Sequence, residues 1–153
     1  MGQFFSLFAF CIILVSSSVP CLGAEDASYV GSKACSQCHE EQYANFSKYS
    51  KKAHSWQSVA IMKPKLKERE IKQCYECHTT GYGKKGGFVS IESTPALADV
   101  GCETCHGPGS AHAQSGEPKL ITRRPSTKSC TVCHNPQRVE DFRFKPLIFS
   151  GAH

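Results

Sequence analysis

The feature that most constrains this chain is a short cysteine motif that occurs four times. Each copy has two cysteines separated by two residues and followed directly by histidine, as in Cys102-Glu-Thr-Cys105-His106. On one helical turn, two such thiols can bond to the vinyl groups of a heme while the adjacent imidazole binds the iron. The sequence therefore predicts four heme c groups with their iron. We number the motifs 1 to 4 in chain order: Cys35, Cys38 and His39; Cys74, Cys77 and His78; Cys102, Cys105 and His106; Cys130, Cys133 and His134.

Other uses of paired cysteines give two alternative interpretations. Zinc ribbons and thioredoxin-like redox sites also contain C-x-x-C, but neither requires a histidine after every second cysteine. A disulfide scaffold is the second alternative, because small exported domains often depend on one. The two remaining cysteines, Cys11 and Cys21, lie in the N-terminal segment, so no cysteine is left over from the motifs.

The N-terminal segment reads as an export signal. Residues 4–15 form an apolar run that is too short for a comfortable bilayer span, and small residues follow it. We expect residues 1–24 to be a signal peptide, cleaved after Ala24, and residues 25–153 to form one domain. An uncleaved membrane anchor is the alternative, and no stable membrane insertion is expected after cleavage. The expected location is periplasmic or otherwise exported.

Three of the seven histidines remain as candidates for the second axial position on the irons. Five residues separate His112 from His106, a reach of about 20 Å at most. Wrapping around the edge of a porphyrin would use nearly all of it, so we expect His112 to ligate a neighbouring heme. His54 lies in residues 40–62, which have no Pro or Gly and are predicted to form a long helix with an aromatic face.

The last candidate, His153, ends an apolar and aromatic segment that could dock on the domain. Only three candidate histidines are available as second ligands for four hemes. The fourth iron is therefore predicted to be five-coordinate or completed by Met62, a water or a histidine from another molecule. For each of the three histidines the alternative is an ordinary surface residue, and for Met62 an ordinary core residue. Between the motifs, the pattern predicts a charged helix over about residues 65–73 and a turn or short helix over 95–100.

Several segments resemble multiheme cytochromes of the tetraheme cytochrome c-554 type. They are YVGSKACSQCHEEQY, AHSWQSV, CYECHTTGYGKKGGF, STPALADVGCETCHGPGSAH and CTVCHNP, and together they span nearly all of residues 25–153. The resemblance implies a mainly α fold with extensive loops, a small protein whose core is built around closely paired hemes. It also implies that His54 and His112 are axial ligands, and it is compatible with the same role for His153.

The formal net charge of +5 raises the question of an acidic partner. Eight propionates on four hemes would offset an excess of this size, so we expect no nucleic-acid partner. Arg123, Arg124 and the basic residues within 63–72 are predicted to pair with propionates or to form a Lys-rich face for a redox partner protein. A solvated surface is the alternative.

These observations favour a periplasmic electron-transfer protein with mostly bis-histidine hemes over an enzyme. The first alternative is a small-ligand redox enzyme that acts on nitric oxide, nitrite, hydroxylamine or peroxide at one five-coordinate heme. Such an enzyme needs acid and base groups near the iron, and the sequence identifies none. The second alternative is an oligomer, the subunit of an extracellular conductive filament, in which a histidine of the next molecule completes the open heme.

Overall fold

The computed structural model describes residues 27–138, in which all regular structure is helical and no β-strand occurs. This confirms the predicted mainly α fold with extensive loops. The proposed signal, residues 1–24, and His153 lie outside the described residues. None of the described helices is both long and apolar enough to cross a bilayer. The α-helices are α1 (Ser32–Cys35), α2 (Glu40–Tyr49), α3 (Trp56–Met62), α4 (Glu68–His78), α5 (Cys102–His106), α6 (Ser110–Ser115) and α7 (Thr127–Thr131). The 3₁₀ helices are Lys51–His54, Lys63–Lys65, Pro95–Leu97 and Pro118–Leu120.

The single helix predicted over residues 40–62 is wrong, because the chain breaks between α2 and α3. At Ser50 the backbone is extended, with φ −87° and ψ 120°, and the hydroxyl oxygen of Ser50 accepts a hydrogen bond from the Lys52 N–H at 3.3 Å. Serine hydroxyls compete in this way with helical hydrogen bonds. The break starts the separate 3₁₀ helix that ends at His54.

Helix α4 begins and ends later than the predicted charged helix. The Glu70 carboxylate accepts a hydrogen bond from the Lys67 N–H at 2.8 Å, which satisfies a donor just before the first turn. Two glutamates in that turn, Glu68 and Glu70, also favour a helix start there. The helix then continues to His78, so motif 2 forms its last turns. At residues 95–100, the predicted short helix is confirmed as the 3₁₀ helix Pro95–Leu97.

A small apolar cluster lies between motif 2 and the loop that leads to motif 3. Phe88, Leu97 and Ala98 are buried at its centre, and it is surrounded by Tyr29, Trp56, Tyr75, Tyr82 and Ile91. The loop after α4 closes over the cluster through hydrogen bonds from Phe88 N–H to the Thr80 carbonyl and from Thr80 N–H to the Leu97 carbonyl, both 2.9 Å. Gly87 is required there, because a Cβ atom would collide with the Gly81 carbonyl oxygen.

Candidate heme-binding site

Each of the four motifs adopts a helical turn, although the turns belong to different elements. Motif 1 begins at Cys35, the last residue of α1, and the His39 N–H donates to the Cys35 carbonyl at 2.9 Å. Motif 4 repeats this bond between His134 and Cys130 at 2.9 Å. Motif 2 ends α4, and motif 3 makes up the whole of α5. Residues three and four positions apart lie on one helix face, so each turn presents two thiols and an imidazole together.

Two of the motif histidines are oriented by backbone carbonyls. His106 Nδ1 lies 2.7 Å from the Thr122 carbonyl oxygen, and His78 Nδ1 lies 3.1 Å from that of Ser55. Metal-binding histidines commonly donate the second ring N–H to such a carbonyl, which fixes the ring and leaves Nε2 to face the metal. Beside His106, a surface cavity of 260 Å³ is lined by Gly107, Pro108 and residues 119–122.

The His39 and His112 rings face each other. Their centroids are 6.2 Å apart and their planes differ by 24°. A bond between a divalent metal and an imidazole nitrogen is about 2 Å long. With each ring centre about 1 Å behind that nitrogen, two imidazoles on opposite sides of one metal have centroids about 6 Å apart. The spacing of the two ring centroids therefore matches that of two imidazoles bound to a single iron. His112 Nδ1 lies 3.0 Å from the Glu117 carbonyl oxygen, which leaves Nε2 available to a metal.

The other proposed ligands are placed differently. His54 is exposed at the end of a 3₁₀ helix, and its Nε2 lies 2.8 Å from the Ser47 carbonyl oxygen. This contact uses the ring nitrogen opposite to the one used by His78, His106 and His112. Met62 ends α3 with 47% of its surface exposed. The roles of His54 and Met62 stay predictions, as does that of His153.

Motifs 1 and 3 lie side by side. A hydrogen bond between the Cys35 and Cys102 thiols raises the pKa of Cys35 and lowers the pKa of Cys102 to about 6. The Cys102 N–H also donates to the Ser32 hydroxyl of α1 at 3.0 Å. Through these contacts α5 packs directly against α1.

Motif 4 contacts both motif 2 and motif 3. Burial and a hydrogen bond with Cys77 raise the pKa of Cys133 to about 12, and Cys133 Sγ lies 3.9 Å from the Glu76 carbonyl oxygen. Burial and the nearby Cys130 raise the pKa of Cys105. Motif 3 therefore neighbours motif 1, and motif 4 neighbours motifs 2 and 3, so motifs that are neighbours in space are not always neighbours in the chain.

One buried residue between the cysteines of motif 3 was not predicted from the sequence. Glu103 is only 2% exposed, and its carboxylate accepts hydrogen bonds from the N–H groups of Val30, Gly31 and Gly109. The available signal was an acidic residue inside a motif that is followed by a Gly-Pro-Gly turn. It was overlooked because the two positions between the cysteines carry no required residue type.

Ser55 was also missed. Its hydroxyl donates to the His78 carbonyl at 2.9 Å and accepts from the Val100 N–H at 2.9 Å. No sequence pattern distinguishes it from the neighbouring serines. In the part of the chain that the structure describes, the eight motif cysteines form no disulfides, and His, Cys, Asp and Glu side chains do not gather in threes as ligands of a metal ion.

Comparisons with known proteins agree with these features. Residues 34–107 match the sequence model of a family described as cytochrome c554 and c-prime. The chain is 34% identical over 149 residues to cytochrome c-554 of Nitrosomonas europaea, an alignment that covers 72% of this chain and 59% of that protein. The chain thus spans less than two thirds of that relative's length. A solved structure of the reduced state of cytochrome c554 from Nitrosomonas europaea superimposes with a TM-score of 0.58 at 27% identity, covering 80% of this chain and 82% of the other.

Proposed function

The chain belongs to the cytochrome c554 family, which implies covalently bound heme c, and from this premise we propose that it is an exported electron-transfer protein carrying four c-type hemes. Four cysteine motifs, each in a helical turn that brings both thiols and the histidine to one face, support one heme per motif. The proposal includes cleavage of residues 1–24 and a periplasmic or otherwise exported location.

The observation that carries the proposal is the facing pair of His39 and His112. In this proposal Cys35 and Cys38 would tether a heme at motif 1, and His39 and His112 would supply imidazoles to its iron. When bound, the heme supplies a one-electron redox centre. Two imidazoles fill both axial positions, so such a centre passes electrons without binding a substrate. The Glu117 carbonyl that contacts His112 Nδ1 would hold the ring in place as a ligand.

The spatial order of the motifs supports a path for electrons. Motifs 1 and 3 touch through Cys35 and Cys102, and motifs 4 and 2 touch through Cys133 and Cys77. Motif 4 also lies near motif 3, because Cys130 is close enough to Cys105 to raise its pKa. Cofactors tethered at these positions would form a continuous row. Electrons would enter at one end, motif 1 or motif 2, and leave at the other.

We further propose that the Lys-rich segment recognises an acidic redox partner protein. Lys63, Lys65, Lys67 and Arg69 are all exposed along the stretch that leads into α4 and motif 2. Exposed basic residues attract an acidic surface over distances of about a Debye length, about 8 Å at physiological salt. Association with the partner should therefore slow as salt is added.

The test begins with the full chain expressed with its signal in a host that attaches heme. We expect the purified protein to begin at Glu25, to carry four hemes by intact mass, and to keep them after denaturing electrophoresis. A colourless product, or one containing zinc or cystine bridges, would contradict the proposal.

Axial ligation is tested by electron paramagnetic resonance of the oxidised holoprotein. We expect His112→Ala to add one high-spin heme to the number present in the unmodified protein, since the motif 1 iron loses an imidazole. Nitric oxide binding and turnover at a heme that is already high-spin would favour the enzyme alternative instead. Sedimentation of filaments with loss of that high-spin signal would favour the filament.

A further inference from the structure

We propose that Glu103 is a positioning residue that holds His39 and His112 at the spacing required by one iron. This inference rests on the proposed heme at motif 1. Glu103 itself lies in motif 3, so it joins the segments that carry the two histidines without contacting either ring.

Glu103 binds the residue that begins each of the two histidine-bearing segments. Gly31 is the N-cap of α1, which leads into motif 1 and His39, and its N–H donates to Glu103 Oε2 at 2.7 Å. Gly109 is the N-cap of α6, which carries His112, and its N–H donates to Glu103 Oε1 at 2.7 Å. A single carboxylate thus fixes the starting points of both helices relative to each other.

The chemistry of the contact requires a carboxylate rather than an amide. The Val30 N–H also points at the group, 3.0 Å from Oε1 and 3.1 Å from Oε2, so both oxygens accept from backbone donors. An ionised carboxylate accepts at both oxygens, whereas glutamine would turn an NH₂ group toward one set of these donors. Charge-assisted hydrogen bonds of this kind are about twice as strong as neutral ones.

The surrounding contacts show that Glu103 is at the centre of this junction. At its exposed edge, the Ser28 N–H donates to the Ser110 hydroxyl at 2.8 Å and the Ser110 N–H donates to the Ser28 carbonyl at 3.1 Å. At Gly109, an added Cβ would lie 3.1 Å from Glu103 Oε1, so the backbone approaches the carboxylate closely. The carboxylate is the buried part of the junction, where the loss of an acceptor is costly.

Cyanide titration of the oxidised holoprotein tests the proposal in the variant Glu103→Gln. Cyanide binds the motif 1 iron only where His112 has left it, so its apparent affinity reports how often this happens. We expect the affinity at this heme to rise about tenfold, the equivalent of about 1.4 kcal/mol. Added imidazole should restore the low-spin spectrum of the variant. The variant His112→Ala identifies the motif 1 signal, because cyanide meets no competing ligand there.

Thr79→Val is the matched control. Thr79 is 1% exposed, and its hydroxyl donates to the Tyr75 carbonyl of its own helix at 2.7 Å. The substitution removes a buried hydrogen bond without touching the junction, so stability should fall while cyanide affinity stays unchanged. An equal affinity in Glu103→Gln and the unmodified protein would overturn the positioning role.

Two further results separate the possible failures. If His112→Ala leaves the spin state unchanged, the facing-pair assignment is wrong and the role of Glu103 falls with it. If His112→Ala adds a high-spin heme but Glu103→Gln leaves the cyanide affinity unchanged, the heme assignment stands and the role of Glu103 is wrong. Should Glu103→Gln yield no folded protein, Gly109→Ala decides, because it crowds the carboxylate while retaining it. An unchanged cyanide affinity in that variant would also reject the proposal.

Discussion

Two regions of the molecule hold a motif histidine in place by different chemistry. Around motif 1, helices α1, α5 and α6 meet at the carboxylate of Glu103, which accepts from three backbone N–H groups. Around motif 2, helices α3 and α4 and the loop before motif 3 meet mainly through neutral groups, and one carboxylate, that of Asp99, binds the first residue of α3. Ser55 supplies a carbonyl to His78 Nδ1 and a hydroxyl to the His78 carbonyl.

The second region spreads its contacts over several residues. The Thr80 hydroxyl donates to the Asp99 carbonyl at 2.6 Å and accepts from the Gly101 N–H at 2.8 Å, while the Trp56 N–H donates to the Asp99 carboxylate at 2.8 Å. Beside this network lies the aromatic cluster around Phe88. The first region therefore depends on one charged group, whereas the second depends on packing and on bonds that are individually modest.

The largest effect is expected from removing the packing that supports motif 2. Phe88 is 2% exposed, with its ring centroid 5.1 Å from that of Tyr75 and 5.5 Å from that of Trp56. Phe88→Ala should lower the free energy of unfolding by about 3–5 kcal/mol, the usual cost of such a cavity. Guanidinium denaturation followed by circular dichroism measures it. Val89→Ala, at a neighbouring exposed side chain, is the control. An equal loss of unfolding free energy in the two variants would show that the second region does not depend on its buried packing.

Glu103→Ala should have the next largest effect, since it leaves two buried N–H donors and one partly buried donor without their acceptor. At about 1 kcal/mol or more for each donor, the free energy of unfolding should fall by about 3 kcal/mol. The control is Glu76→Ala, which removes an exposed acid from between the cysteines of motif 2. Denaturation curves that coincide for Glu103→Ala and Glu76→Ala would show that the first region, around motif 1, does not depend on the Glu103 carboxylate.

Ser55→Ala tests the hydrogen bonds of the second region, around motif 2. The substitution removes the hydroxyl bonds to His78 and Val100 but keeps the Ser55 carbonyl that binds His78 Nδ1. We expect a loss of about 1–2 kcal/mol in the free energy of unfolding, with no change in heme spin state. Ser58→Ala, at an exposed serine of α3, is the control. A new high-spin signal in Ser55→Ala would mean that the hydroxyl, and not the carbonyl, orients His78.

The smallest effect is expected at the surface of α4, outside both regions. Lys72 Nζ lies 2.8 Å from the Glu68 carboxylate, and this contact lowers the pKa of Glu68 and raises the pKa of Lys72. Both side chains are exposed, and solvent screens such pairs. Lys72→Ala should leave the denaturation midpoint unchanged while slowing association with an acidic redox partner at low salt. A drop in stability as large as that of Ser55→Ala would refute this.

The sequence predicted the motifs well because their chemistry fixes both residue types and spacing. The helical turns that join Cys35 to His39 and Cys130 to His134 follow from that spacing alone. The fold class was also correct. The boundaries of α2 and α3 were not, because the hydroxyl of Ser50 ends a helical pattern that the apolar residues would otherwise continue.

The tertiary junctions could not be read from the sequence. Glu103 meets Gly31 across 72 residues and Val30 across 73, and no local pattern records a contact of that span. That His112 serves a heme other than the one at motif 3 stays a prediction, which rests on the length of the loop between His106 and His112. The position of His112 opposite His39 depends on the same long-range junction.

The distance along the chain between the two facing histidines has a consequence for biogenesis. A polypeptide is made from its N terminus, so His39 exists before His112 has been synthesised. Throughout that interval the far side of any cofactor already attached at Cys35 and Cys38 would be open to solvent and to chaperones. A heme at motif 1 would therefore gain its second histidine only after the segment that follows motif 3 has emerged.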